Sequence, residues 1–144
     1  MKKTSFAIIG TGIVGERIIN QLLANSNCEI VSIYDENKER LIEMQDRYQL
    51  TAASSLESLF ETKPDWVYIG TPPNSHAHLA AQASSHGCHV LSEKPLAHDV
   101  ENGQRMVEAA GKANVRTAMH FPLMYSPAIQ AMMSEVENGT LGTI

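Results

Sequence analysis

Short apolar runs alternate along this chain with longer stretches whose apolar residues recur at helical spacing. The first run begins at Thr4 and leads into a glycine-rich turn. A helix follows from about Ile13 to Ala24, with Val14, Ile18 and Leu22, and Ile19 with Leu23, on its apolar side. Glu29–Tyr34 predicts a second strand and Asn37–Tyr48 a charged helix. Thr51–Ala53 reads as a short third strand and Leu56–Glu61 as a short helix. Pro64-Asp65 turns the chain into a fourth strand, Trp66–Gly70. A helix over about Ser75–Ser85 stops at His86-Gly87. His89–Ser92 is a fifth strand, Asp99–Ala113 a helix, and Arg116–His120 a sixth strand. Ser126 caps a last helix, with Pro127 in its first position and Asn138-Gly139 as its stop. Strands separated by helices of this length require right-handed crossovers. The expected fold is α/β, a Rossmann-type doubly wound parallel sheet of about six strands in the order 3-2-1-4-5-6.

Composition narrows the picture only slightly. At 144 residues, 43% hydrophobic and 19% charged, the chain suits one globular domain. A net charge of −5 with no basic run argues against nucleic acid or an anionic membrane as partner. No apolar stretch approaches the ~20 residues of a membrane span, and Met-Lys-Lys leads into a strand too short for a secretion signal. Cys28 and Cys88 fit no metal or redox spacing, which points to packed, free thiols and a reducing cytoplasm.

The chemistry begins at the turn after the first strand, Gly10-Thr11-Gly12-Ile13-Val14-Gly15. Gly10 permits a tight turn, and Gly12 lacks the Cβ that would hold the backbone away from a pyrophosphate. Gly15 lets the next helix lie close on the sheet, its N–H groups and dipole facing the phosphates. Asp35 stands 20 residues beyond Gly15, at the end of the second strand, where it can accept both hydroxyls of an adenosine ribose. An Asp there can also cap the following helix. Lys38 and Arg40 could serve a 2′-phosphate, but inside a helix they read as solvated charge, so NAD is preferred to NADP. Ligands of such sheets bind where strand order reverses. The loops after the first, fourth and fifth strands must therefore converge: Gly10–Gly15, Thr71-Pro72-Pro73-Asn74-Ser-His76, and Glu93-Lys94-Pro-Leu.

These elements, together with G-C-H-V-L-S-E-K-P-L and the closing E-N-G-T-L-G-T-I, resemble the Gfo/Idh/MocA family along essentially the whole chain. That family comprises NAD(P)-dependent dehydrogenases related to glucose–fructose oxidoreductase and inositol dehydrogenase. The resemblance implies hydride transfer between a nicotinamide cofactor and a sugar, polyol or similar hydroxy compound. It also implies that residues 1–122 form the dinucleotide domain. Residues 123–144 would be a C-terminal helix and the entry to a second, substrate-bearing domain. A stand-alone dinucleotide-binding or redox-sensing module is the alternative, and FAD or S-adenosylmethionine is disfavoured by T-P-P-N-S-H and E-K-P. Relatives often carry an arginine ahead of the aromatic-x-proline element; here Leu123 and Met124 precede Tyr125-Ser-Pro127.

Within this frame Lys94 is the expected catalytic residue, an ammonium beside the oxygen that gains negative charge as a proton leaves. The resemblance places Thr71, Pro72, Pro73, Asn74, His76 and Glu93 with Lys94 around the cofactor, and implies a cis Lys94–Pro95 bond. His76 and His78, two residues apart on a helix, point in different directions and do not suggest a metal site. His86, His89 and His98 read as surface or packing residues, and His120 as a substrate-contact candidate. Ala128, Ile129, Met132, Met133, Val136, Leu141 and Ile144 form an apolar face whose exposure leads us to expect a homo-oligomer.

Overall fold

The computed structural model describes residues 2–143. Its strands are β1 (Thr4–Ile9), β2 (Cys28–Tyr34), β3 (Trp66–Ile69), β4 (His89–Glu93) and β5 (Thr117–His120). Its helices are α1 (Ile13–Leu23), α2 (Lys38–Tyr48), α3 (Leu56–Glu61), α4 (Pro73–Ser85), α5 (Val100–Ala113) and α6 (Pro127–Glu137), with a 3₁₀ turn over Pro122–Tyr125. All pairings are parallel, in the order β2-β1-β3-β4-β5.

The sheet thus has five strands where six were expected. Only Ala52 of the expected third strand bridges to Ile33, extending the order on its β2 side. Local chemistry explains the shortfall. Ser55 and Ser58 cap each other's backbone N–H groups and start α3 at Leu56, leaving the segment too little length to form a ladder. With that strand reduced to one bridge, the remaining order is the one expected.

Strand alternation divides the core between the two faces of the sheet. Ala7, Ile9, Val67, Ile69 and Val90 meet Leu59, Phe60, Ala80, Ala83 and Met106 from α3, α4 and α5. On the other face, Ile8, Ile33 and Tyr68 meet Ile18, Ile19 and Met44 from α1 and α2. Burial on both faces is why Phe6–Ile9 of β1 and Trp66–Ile69 of β3 read as apolar runs. The sheet thins toward β5, where Thr117 and Ala118 are exposed. Beyond it, α6 leans on the 3₁₀ turn and buries no residue, so Met132 is 60% exposed and Leu141 58%. Ile144, counted in the expected apolar face, lies outside the described residues.

At the amino ends of the strands a latch closes the sheet. Asp65, between α3 and β3, accepts the Ser5 N–H and hydroxyl of β1 at 2.9 and 2.8 Å. Those two hydrogen bonds hold its carboxyl below the usual range. The carboxyl ends, by contrast, part.

Candidate functional site

Strand order reverses between β1 and β3, and the glycines of the first turn sit at that point. Gly10 has φ of +88°, in the left-handed region, and a Cβ on it would lie 2.8 Å from the Gly70 carbonyl carbon. Gly15 is tighter still: its Cβ would fall 2.0 Å from the Gly10 carbonyl oxygen, so α1 leaves the turn backbone against backbone. Gly12 is different. No heavy atom lies within 4 Å of an added Cβ there, so no packing demands glycine. Gly12 is also the N-cap of α1, and no side chain caps this helix. The N–H groups of its first turn are left for another acceptor.

A cleft of about 540 Å³ opens here, lined by Gly10, Gly12, Asp35, Thr71, Pro72 and Asn74 among the expected residues. Ser75 of the expected T-P-P-N-S-H loop also lines it, as do Glu36, Leu56, His78 and Leu79, none of which was expected there.

Asp35 does not cap α2; Asn37 does, accepting the Arg40 N–H at 3.1 Å. The Asp35 carboxylate is instead oriented from behind. Thr11 donates to it from its backbone N–H at 2.7 Å and its hydroxyl at 3.0 Å, and the Asn37 N–H adds a bond at 2.9 Å. Thr11 is therefore fully buried and serves Asp35 rather than the cleft surface.

Arg40, expected as solvated charge, is locked in place. Its Nε donates to the Thr11 carbonyl at 2.8 Å, and its two Nη atoms reach Glu16 at 2.6 Å and Glu43 at 2.7 Å. Arg47, at 2.6 Å, and the Tyr48 hydroxyl, at 2.8 Å, close on the same Glu16. These hydrogen bonds, that of Arg40 foremost, pull the Glu16 pKa down to about 2.

On the other side of the cleft, His76 is a tie rather than a wall. It is fully buried on the face of α4 that carries Ala80 and Ala83. Its Nε2 faces the Thr71 carbonyl at 2.8 Å and its Nδ1 the Pro95 carbonyl at 3.0 Å. The T-P-P loop is thus joined to the E-K-P turn, whose Lys94–Pro95 bond is cis, as expected.

Glu93 points inward, away from the cleft. Its carboxylate takes the Tyr68 hydroxyl at 3.0 Å and pairs with His120 Nδ1, while the Lys94 N–H donates to it at 3.2 Å. Burial opposes its charge, but the hydrogen bonds from His120 and Tyr68 still hold its carboxyl below the usual range. Burial, then the Glu93 charge, push the Tyr68 phenol far up. Lys94 stands exposed at the surface.

The expected residues therefore separate by position. Gly10, Gly12, Asp35, Thr71, Pro72 and Asn74 meet at the cleft, whereas Ile13, Val14, Pro73, His76, Glu93 and Lys94 lie outside its lining. Thr11 and Gly15 shape it from within. His76, expected beside the cofactor, does not line the cleft, and His78, for which no role was expected, does; α4 begins at Pro73, two residues before the expected start. Helical spacing of His76 with Ala80 and Ala83 was the signal that could have revealed it. Tyr68 and Glu16 were missed; neither carries a signal in its immediate sequence. His86 stacks on Phe60, His89 packs edge-on against Trp66, and His98 sits beside Asp99, all in the surface or packing roles expected of them. Cys28 and Cys88 are free.

A family model described as an oxidoreductase family with an NAD-binding Rossmann fold matches residues 4–121. Glucose-6-phosphate 3-dehydrogenase of Bacillus subtilis is 28% identical over 144 residues, spanning the whole chain but 40% of that enzyme. The NADP(+) scyllo-inositol 2-dehydrogenase IolU of the same organism is 32% identical over 111 residues, 76% of this chain and 34% of that enzyme. Among solved structures, the WlbA dehydrogenase of Bordetella pertussis, in complex with NADH and UDP-GlcNAcA, superposes with a TM-score of 0.92 at 29% identity. The match covers 98% of this chain and 44% of that one. The chain thus spans less than half the length of these relatives. No described helix is long and apolar enough to cross a membrane. The chain belongs to the Gfo/Idh/MocA oxidoreductases, and its residues 4–121 carry their NAD-binding Rossmann fold.

Proposed function

We propose that the cleft between β1 and β3 holds NAD, and that the chain serves hydride transfer to or from a hydroxyl of a sugar, polyol or similar compound. The observation that carries this reading is the uncapped start of α1 beside a glycine with open space around it. Backbone N–H groups and the helix dipole favour a pyrophosphate there. Gly10, Gly12, Thr71, Pro72 and Asn74 would line the dinucleotide, with Ile13, Val14 and Gly15 offering N–H groups and Asp35 taking the ribose hydroxyls. Three donors behind Asp35 keep its carboxylate aimed, which favours a hydroxyl donor and opposes a 2′-phosphate. NAD is the cofactor this supports, although IolU is named for NADP.

A bound nicotinamide supplies or accepts the hydride. The chain's own contribution is to hold a proton at the right place. Lys94, exposed on a turn tied to the T-P-P loop through His76, is the group we assign to the substrate oxygen. Glu93 would act on Lys94 indirectly, by bracing its N–H from inside. His120, paired with Glu93 at the end of β5, is the next candidate for substrate contact. The substrate wall would come from a second domain entered after residue 122. The bare face of α6 favours association with that domain or with another copy, and two free thiols fit a cytoplasmic protein.

Calorimetric titration tests the cofactor reading. The chain should bind NAD+ more tightly than NADP+, and Asp35→Ala should weaken NAD+ by at least about tenfold, as expected for lost charge-assisted hydrogen bonds. Equal affinity for the two nucleotides would remove the ribose assignment.

A further inference from the structure

We infer that Glu16 and Glu43 set the choice between the two nicotinamide nucleotides by keeping Arg40 engaged, so that the cation joined to the ribose-binding acid through Thr11 is withheld from a 2′-phosphate. The inference rests on the cofactor reading above and extends it to residues outside the cleft.

The geometry runs through one peptide. Thr11 braces Asp35 with its N–H and hydroxyl, at 2.7 and 3.0 Å, and offers its carbonyl to Arg40 Nε at 2.8 Å. A single residue, Thr11, therefore links the guanidinium to the carboxylate expected to meet the ribose. A 2′-phosphate at that place needs a fixed cation, and a guanidinium suits it well. Here each of its terminal nitrogens is already paired with a carboxylate, Nη2 with Glu16 at 2.6 Å and Nη1 with Glu43 at 2.7 Å. Glu16 is itself fixed by Arg47 and the Tyr48 hydroxyl, so it does not swing away to release Arg40. Discrimination then has two layers. Asp35 repels the phosphate directly, and the two glutamates deny it a counter-charge.

The test separates the layers by nucleotide titration of the chain itself. In an Asp35→Ser background, which removes the direct repulsion, adding Glu16→Gln should raise NADP+ affinity by about tenfold, the gain of one charge-assisted contact. Arg40→Gln added to that pair should abolish the gain. Glu43→Gln, on the more exposed branch, is the second route to release Arg40 and should act in the same direction, with thermal melts confirming a folded protein for each variant. In the wild-type background Glu16→Gln should leave NAD+ affinity within about twofold. Wild type that binds NAD+ while NADP+ affinity stays unchanged on Glu16→Gln and Glu43→Gln overturns the inference alone. Wild type that binds neither nucleotide overturns the cofactor reading and this inference with it.

Discussion

Helices α1 and α6 are each 11 residues long, and each carries an apolar stripe. They differ in nearly everything else. α1 buries Gly15, Ile18 and Ile19 against the sheet, yet no side chain caps its start. α6 buries nothing, although the Ser126 hydroxyl accepts the Ile129 N–H at 3.3 Å and Pro127 occupies its first position. The helix held by tertiary packing has its terminus left open, and the helix without packing is held by local signals. Packing supplies most of the stability of a protein helix, so α1 can spare its cap for a ligand. α6 has no such reserve, and its apolar stripe marks a surface that no described part of the chain covers.

The sharpest way to break this contrast is at the α1 turn. Gly15→Ala puts a methyl 2.0 Å from a backbone oxygen, with no flexible side chain to yield. A loss of at least about 3 kcal/mol is expected, enough to unfold a marginal domain, and urea unfolding followed by circular dichroism reads it. Next in size is Ile19→Ala, from a fully buried position, at about 3 kcal/mol. Val136→Ala on α6 should move the same transition by no more than about 0.5 kcal/mol. A comparable loss at both sites would mean that α6 is packed after all.

Acid probes the polar side of α1. Glu16 has a folded pKa of about 2 against an ordinary 4.5. A depressed carboxylate stabilises fully above the ordinary value and loses that contribution as pH falls toward the folded one. Wild type should therefore lose stability between about pH 4.5 and 2, and Glu16→Gln should lose less over the same window. Melts taken across the range should converge at the acid end; parallel curves would show that the ion pairs add nothing. The smallest effect belongs to the caps. Ser126→Ala should fray α6, by about 1 kcal/mol of local helix stability, while the main unfolding transition stays put. Hydrogen exchange at residues 129–131 is the measurement, and a drop in the global midpoint would contradict the picture of an independent helix.

What the sequence disclosed follows the same division. Gly10, Gly15 and Asp35 were legible because each answers a constraint set within a few residues, a turn, a close approach or a strand end. The Glu16–Arg40–Arg47–Tyr48 lattice was not, since it joins two helices across 24 to 32 positions and each member alone is an ordinary surface charge. Thr51–Ala53 had strand-like residues, but the serines that cap α3 claimed the neighbouring backbone first. Glu93 was placed beside the cofactor with its neighbour Lys94; successive strand residues face opposite ways, and its partner Tyr68 lies 25 positions earlier. The site's outline was written locally. Its bracing was written at long range.

One consequence of the glycine turn concerns ancestry. Positions 10 and 15 meet backbone so closely that a side chain at either must displace it, so a lineage that changes either one passes through a strongly destabilised protein. Position 12 has no such guard, since the space around it is empty. A serine there would even cap α1, adding a few tenths of a kcal/mol while obstructing the helix end. A single substitution at position 12 can therefore close the open end of α1 and keep an intact scaffold, free to be recruited for another purpose.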